Sequence, residues 1–117
     1  MCSSDLIEVA ALSNDQIASI SSFIKNIVID NFGVDKAKNV FVKSSTGFYK
    51  TENNKPNGAT FEAIKIMLGS AKPLKIKAAG GIKTKEDVLK MITLGVQRIG
   101  TSSAKEIVEE KKVNSDY

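Results

Sequence analysis

The chain has 117 residues, of which 42% are hydrophobic, and its 17 basic and 13 acidic residues give a net charge of +4. This length and composition fit one folded domain and argue against disorder, and no apolar run approaches the roughly 18 residues that a membrane span needs. The sequence has no histidine and a single cysteine, which excludes His-based acid-base catalysis, His-ligated metals, intrachain disulfides and cysteine-rich metal sites.

The first half of the chain predicts two strands with a helix between them. Leu6–Ala10 is a short apolar run typical of a strand, and Ser13 begins a capping box that Gln16 completes. Apolar residues then recur at helical spacing through residue 28. The next apolar run predicts a strand over Asn39–Lys43, which is followed by a polar loop.

The second half repeats the same alternation. Strands are predicted over Leu74–Ala78 and Val96–Thr101, each preceded by a helix. Residues that mark helix ends are Thr60 and Thr84 as N-caps, Gly95 as a left-handed C-terminal residue, and Ser102 or Ser103 at the start of a last helix.

Four βα units in a row predict parallel strands flanked by crossover helices. An open doubly wound sheet and part of a (β/α)₈ barrel both satisfy this pattern. The motifs at the strand ends are needed to distinguish these two folds.

Two lysines end apolar strands and precede glycine-bearing turns, namely Lys43 in the run from Val40 to Gly47 and Lys77 in the run from Ile76 to Gly81. A lysine amine attacks carbonyls near neutral pH only when burial or a nearby cation favours its uncharged form. Two ammonium groups about 5 Å apart repel by roughly 3 kcal/mol at an effective dielectric constant of about 20, so Lys77 is expected to lower the pKa of Lys43. The alternative is that each lysine beside an apolar run simply reaches solvent.

Glycines and serines follow the last two predicted strands, in the segments Ala79–Thr84 and Ile99–Ser103. In barrel enzymes the loops after the last two strands typically hold a phosphate, and glycine lets backbone N–H groups approach its oxygens. Taken singly, each segment has the alternative explanation of a turn or a helix cap, which is weaker because the two segments occur in successive loops.

The net charge of +4 suits an anionic small molecule. Nucleic acid is a weaker alternative because aromatic residues are not interleaved with the basic ones. The N-terminal residues have neither the basic segment nor the apolar stretch of a signal peptide, so the cytoplasm is the expected location, with no membrane partner.

Ordered motifs along the chain resemble the deoxyribose-phosphate aldolase family of class I, Schiff-base aldolases. The resemblance rests on five segments: Leu6–Leu12, Phe41–Phe48, Gly58–Thr60, Lys77–Thr84 and Arg98–Ser103. It implies a (β/α)₈ TIM barrel, of which this chain holds about four βα units corresponding to strands five to eight. Residues 1–117 are then a single partial barrel domain without the N-terminal half of the family fold, which carries the family's proton-relay aspartate.

The resemblance also implies roles for individual residues. Lys43 matches the lysine that forms the Schiff base, and Lys77 matches the neighbour that lowers its pKa and relays protons. Positions matching the binding site of the substrate phosphate are Gly47, Gly80, Gly81, Ser102 and Ser103, with Thr46 in the same pocket. No metal or cofactor is required.

The implied reaction is reversible cleavage of 2-deoxy-D-ribose 5-phosphate to D-glyceraldehyde 3-phosphate and acetaldehyde. Two alternatives remain at this stage: an inactive fragment that keeps phosphate binding or an interaction surface, and another phosphate-binding TIM-barrel enzyme. Half a barrel has open strand edges, so we expect the chain to form a homodimer or to associate with the missing N-terminal half.

Overall fold

The computed structural model describes residues 3–46 and 58–109. The elements in chain order are β1 (Ser3–Leu6), α1 (Asn14–Ala37), β2 (Val40–Lys43), α2 (Phe61–Ala71), β3 (Lys75–Ala79), α3 (Lys85–Leu94) and β4 (Arg98–Gly100). A short 3₁₀ turn over Val9–Ala11 follows β1, and residues 104–109 are helical after β4. The strands form one parallel sheet in the order β1-β2-β3-β4, as the βα alternation predicts.

The strand order distinguishes the two folds that the sequence left open. A doubly wound sheet reverses its strand order at a switch point and carries helices on both faces. Here the order follows the chain without reversal, and α2 packs against both α1 and α3. The helices therefore lie side by side on one face of the sheet, which is the arrangement of an arc of a (β/α)₈ barrel.

The core lies between the sheet and these helices. Val42, Ile76 and Ala78 point to the helices and are fully buried, as are Ile64 and Met67 of α2. We call the side of the sheet formed by Val42, Ile76 and Ala78 the helix face. Alternation along the strands then sends the neighbouring side chains to the opposite side.

Local signals set the helix ends as predicted. Ser13 and Gln16 form a complete capping box at the start of α1, and the Thr60 hydroxyl accepts a hydrogen bond from the Ala63 N–H. Thr84 and Asp87 form a second capping box on α3, and α3 ends at Gly95 with φ 106°. Each feature satisfies backbone groups that a helix terminus would otherwise leave unpaired.

The prediction for the first strand is wrong in its position. The strand covers Ser3–Leu6, not Leu6–Ala10, because Glu8 adopts a left-handed conformation (φ 54°, ψ 68°) and the chain then turns at Val9–Ala11. The last strand is also shorter than predicted and covers only Arg98–Gly100. Within residues 3–46 and 58–109, no helix has the length and apolar character needed to cross a bilayer.

Candidate active site

The two candidate lysines occupy paired positions at the ends of neighbouring strands. Lys43 of β2 is in register with Lys77 of β3, and adjacent strands are about 4.8 Å apart. Paired residues of parallel strands point to the same side, so both side chains leave the sheet opposite the helix face. Both lysines are partly exposed.

The far end of the Lys77 side chain lies over β4. A Cβ atom added to Gly100 would be 3.2 Å from the Lys77 Cε and 3.9 Å from its Nζ. Gly100 therefore leaves the space that the Lys77 side chain occupies. Sequence reasoning assigned Gly100 to a phosphate loop and did not anticipate this contact.

Further cations lie on the same side of the sheet. Lys75 pairs with Phe41 and Arg98 pairs with Lys77, and the Phe41 ring lies 5.8 Å from the Lys75 Nζ and 4.3 Å from the Arg98 Cζ. Both distances are typical of cation-π contacts. We call this side, formed by Phe41, Lys43, Lys75, Lys77 and Arg98, the lysine face.

A carboxylate stands beside Lys43. Glu8 accepts hydrogen bonds from the Ser45 hydroxyl at 2.7 Å, from the Thr46 hydroxyl at 2.9 Å and from the Thr46 N–H at 3.3 Å. Burial acts to raise the pKa of Glu8, but these hydrogen bonds and the nearby Lys43 ammonium outweigh burial, so the pKa lies below its ordinary value of 4.5. Glu8 is thus a fixed anion next to the candidate nucleophile.

Buried polar contacts join the strand ends on which the lysines stand. The Ser44 hydroxyl donates to the Ala79 carbonyl at 2.8 Å and accepts from the Ala79 N–H at 2.9 Å. The Ala59 N–H reaches the carbonyls of Ala79 and Gly80 at 3.1 and 2.9 Å. A Cβ atom on Gly58 would lie 2.7 Å from the Ala79 carbonyl oxygen, so only glycine fits there. No local sequence signal identifies Ser44 as this link.

The candidate phosphate loops are adjacent in space. Gly80 and Gly81 both have positive φ (85° and 76°), a conformation that favours glycine. The Thr101 hydroxyl after β4 donates to the Ile82 carbonyl at 2.6 Å and accepts from the Ser103 N–H at 3.0 Å. These bonds join the loop after β3 to the loop that carries Ser102 and Ser103.

The start of α3 offers less to an anion than the sequence predicted. The Asp87 carboxylate accepts hydrogen bonds from the backbone N–H groups of Lys83 and Thr84 at 3.1 and 3.2 Å. These hydrogen bonds, led by the one from Lys83, hold the pKa of Asp87 below its ordinary value of 3.8. Two donors at this terminus are therefore already occupied by an anion of the chain itself.

The remaining predicted positions are exposed, half-buried or outside the described residues. Thr46 and Ser102 are exposed, and Ser103 is half-buried. Gly47 lies outside the described residues, so its predicted role stays a prediction.

The whole chain is similar to known aldolases. A deoxyribose-phosphate aldolase of Mycoplasma capricolum is 34% identical over 97% of this chain and 51% of its own length. Deoxyribose-phosphate aldolase 2 of Staphylococcus aureus is 34% identical over 96% of this chain and 44% of its own length. The chain thus spans about half the length, or less, of these curated relatives. No protein-family model matches it.

Solved structures show the same relationship. An aldolase called QR15 superposes with a TM-score of 0.70 and 33% identity, over 96% of this chain and 44% of the other. A candidate deoxyribose-phosphate aldolase from Coccidioides immitis gives a TM-score of 0.65 at 31% identity, over 93% of this chain and 38% of the other. The four-stranded sheet is therefore a partial TIM barrel.

Proposed function

Because this chain belongs to the deoxyribose-phosphate aldolase family, we propose that it supplies the Schiff-base half of such an aldolase. The substrate is 2-deoxy-D-ribose 5-phosphate, which is cleaved reversibly to D-glyceraldehyde 3-phosphate and acetaldehyde. The observation that carries the proposal is the paired register of Lys43 and Lys77 at the carboxyl ends of adjacent strands, on the side of the sheet away from the helices.

Lys43 is the nucleophile in this proposal. Its uncharged amine adds to the aldehyde carbon of the substrate, and loss of water gives an imine. Protonated, the imine withdraws electrons as the C2–C3 bond breaks, the C3 hydroxyl gives up its proton to become an aldehyde, and D-glyceraldehyde 3-phosphate leaves. The electron pair of that bond is held as an enamine, which takes up a proton at carbon before water releases acetaldehyde and restores the amine.

Lys77 acts on Lys43 through its charge. An ammonium group on the neighbouring strand disfavours a second positive charge beside it, so it favours the free amine that the first step requires. The same ammonium group can donate a proton to the reacting atoms and recover it from water.

The substrate phosphate is proposed to bind where the loops after β3 and β4 meet. Gly80 and Gly81 expose backbone N–H groups without a Cβ atom in the way, and Ser102 and Ser103 add hydroxyl donors. The hydrogen bond between Thr101 and Ile82 supports this arrangement because it holds the two loops together. Gly47 and Thr46 complete the proposed set after β2.

The partner that we propose is the half of the fold that the chain does not contain. β1 and β4 are the sheet edges, and the lysine face between them carries Lys43, Lys75, Lys77 and Arg98. Two copies closing a barrel with these faces inward would double the enclosed positive charge, which is unfavourable in a poorly solvated interior. A half with inward carboxylates would neutralise it.

Sedimentation at several protein and salt concentrations tests this choice of partner. We expect the chain alone to remain monomeric at low ionic strength, where repulsion between lysine faces is strongest. A homodimer that is stable at low salt and has β1 paired with β4 of its copy would contradict the proposal.

Reductive trapping tests the chemistry without the missing half. The chain is incubated with acetaldehyde and borohydride, which reduces an imine to a stable ethyl-lysine that peptide mass spectrometry locates. We expect the adduct on Lys43 and its loss in Lys43→Ala. The matched control is Lys65→Ala, which removes an exposed lysine on α2. Equal labelling of Lys43 and Lys65 in the unaltered chain would overturn the assignment.

A further inference from the structure

Glu8 has a backbone conformation that side chains rarely adopt. Among the described residues it is the one non-glycine residue with positive φ, at 54°. A left-handed conformation costs an ordinary residue roughly 1–2 kcal/mol, and such strain persists only where the surroundings enforce it. The backbone on both sides is fixed, because the Ile7 N–H donates to the Lys43 carbonyl at 3.1 Å and the Val9 N–H to the Ser44 carbonyl at 2.8 Å.

This conformation directs the Glu8 carboxylate to the segment that follows Lys43. Both of its oxygens are used: Oε1 accepts from the Ser45 hydroxyl, and Oε2 accepts from the hydroxyl and the N–H of Thr46. Ser45 is fully buried, so the hydrogen bond from its hydroxyl ties the carboxylate to a buried part of the chain. Hydrogen bonds to a charged acceptor are stronger than those between neutral groups.

The charged groups around Lys43 come from three parts of the fold. Glu8 lies on the side of β1 and is the anion. On the other side, β3 contributes Lys77 and Lys75, and β4 contributes Arg98. Lys43 therefore stands between one carboxylate and a row of cations.

We propose that Glu8 is a positioning residue of the Lys43 site, which clamps the Ser45–Thr46 segment and holds a negative charge against Lys43 that opposes the cations of β3 and β4. The clamp is a property of the fold alone, whereas the effect on Lys43 chemistry rests on the proposed function. Two measurements separate these two parts.

The first measurement follows the clamp by NMR and requires no catalysis. The Thr46 amide signal should titrate with the Glu8 carboxylate, at a pH below 4.5, because Glu8 is its acceptor. In Glu8→Gln the titration disappears and the Thr46 amide exchanges faster with solvent, since Gln has no charge and offers one acceptor oxygen where Glu8 uses two. A Thr46 amide signal that changes neither with pH nor with the Glu8→Gln substitution would contradict the clamp.

The second measurement is the pH profile of acetaldehyde trapping on Lys43. Glu8→Gln removes a negative charge that favours a positively charged neighbour, so we expect trapping at pH 7 to rise roughly threefold while the plateau at high pH stays unchanged. Glu8→Asp keeps the charge and should keep the profile of the unaltered chain.

The matched control is Asp87→Asn, which removes a carboxylate that also accepts backbone hydrogen bonds but lies at α3. It should lower stability without changing the trapping profile. An unchanged or weaker trapping at pH 7 in Glu8→Gln would overturn the electrostatic part. Absence of any Lys43 adduct in the unaltered chain would contradict both the proposed aldolase chemistry and the electrostatic effect of Glu8 on Lys43. The NMR measurement would still test the clamp.

Discussion

The two faces of the same sheet differ in almost every physical property. On the helix face, Val42, Ile76 and Ala78 are fully buried and apolar. On the lysine face, residues one position along the same strands are Lys43, Lys75 and Lys77, and all three are partly exposed. Because side chains alternate along a strand, the five residues of β3 contribute to both faces of the sheet.

The two faces are expected to contribute to different properties, the helix face to stability and the lysine face to the proposed chemistry. The helix face contributes through removal of apolar surface from water, which is large and insensitive to pH. The lysine face concentrates like charges, which opposes folding, and the proposed function places the nucleophilic amine on this face. Substitutions on one face should therefore affect unfolding, and those on the other should affect imine formation.

The largest effect on stability is expected for Ile76→Ala on the helix face. Ile76 has no exposed surface, and a large-to-small change at such a site costs about 2–5 kcal/mol because a cavity remains. Urea unfolding followed by circular dichroism measures this. A loss below about 1 kcal/mol would show that the helix face is not the core.

The next largest loss of stability is expected for Ser44→Ala, because the Ser44 hydroxyl forms hydrogen bonds across the sheet at the level of the lysines. The change leaves the buried Ala79 N–H without the Ser44 hydroxyl and removes one donor to the Ala79 carbonyl, which keeps the Ala59 N–H; we expect a cost of about 1–3 kcal/mol. Ser22→Ala is the control, since the Ser22 hydroxyl makes only a long, partly buried bond of 3.4 Å to the Ser70 carbonyl. Equal losses in both variants would contradict a special role for Ser44.

The capping box of α3 should give a smaller, pH-dependent effect. Because hydrogen bonds depress the folded-state pKa of Asp87 below 3.8, its contribution to stability is present above that pH and is lost as the pH falls through the folded value. Unfolding measured between pH 7 and pH 2 should show this loss in the unaltered chain and a flatter curve in Asp87→Asn. Thr84→Ala should cost about 1 kcal/mol at neutral pH, and Thr84→Ser should cost less.

The smallest effect on stability is expected for Lys77→Leu on the lysine face. We expect the free energy of unfolding to change by no more than about 0.5 kcal/mol, because the side chain is partly exposed. Acetaldehyde trapping on Lys43 at pH 7 should nevertheless fall by at least about tenfold and recover at high pH.

Lys75→Leu is the matched control for this last comparison, since it removes a cation from the same strand and face one layer further from Lys43. It should reduce trapping less than Lys77→Leu. Equal trapping at pH 7 in the unaltered chain and in Lys77→Leu would contradict the role proposed for Lys77.

Much of the architecture can be predicted from short stretches of residues. Helix starts at Ser13, Thr60 and Thr84 and the helix end at Gly95 were predicted correctly, because each depends on groups within about four residues of one another. Alternation along β3 likewise puts Lys75 and Lys77, two residues apart, on one side of the sheet. These features follow from local hydrogen bonding and from the strand period.

Other features depend on residues far apart in the chain, and only the packed structure decided them. The register that pairs Lys43 with Lys77, the Ser44 bond to Ala79 and the Glu8 bond to Ser45 each join segments 34 to 37 residues apart. The left-handed backbone of Glu8, which made the first-strand prediction wrong, is unfavourable by local preference and is held by those distant bonds. Residue types alone encode such contacts weakly, because their geometry exists only once the strands have paired.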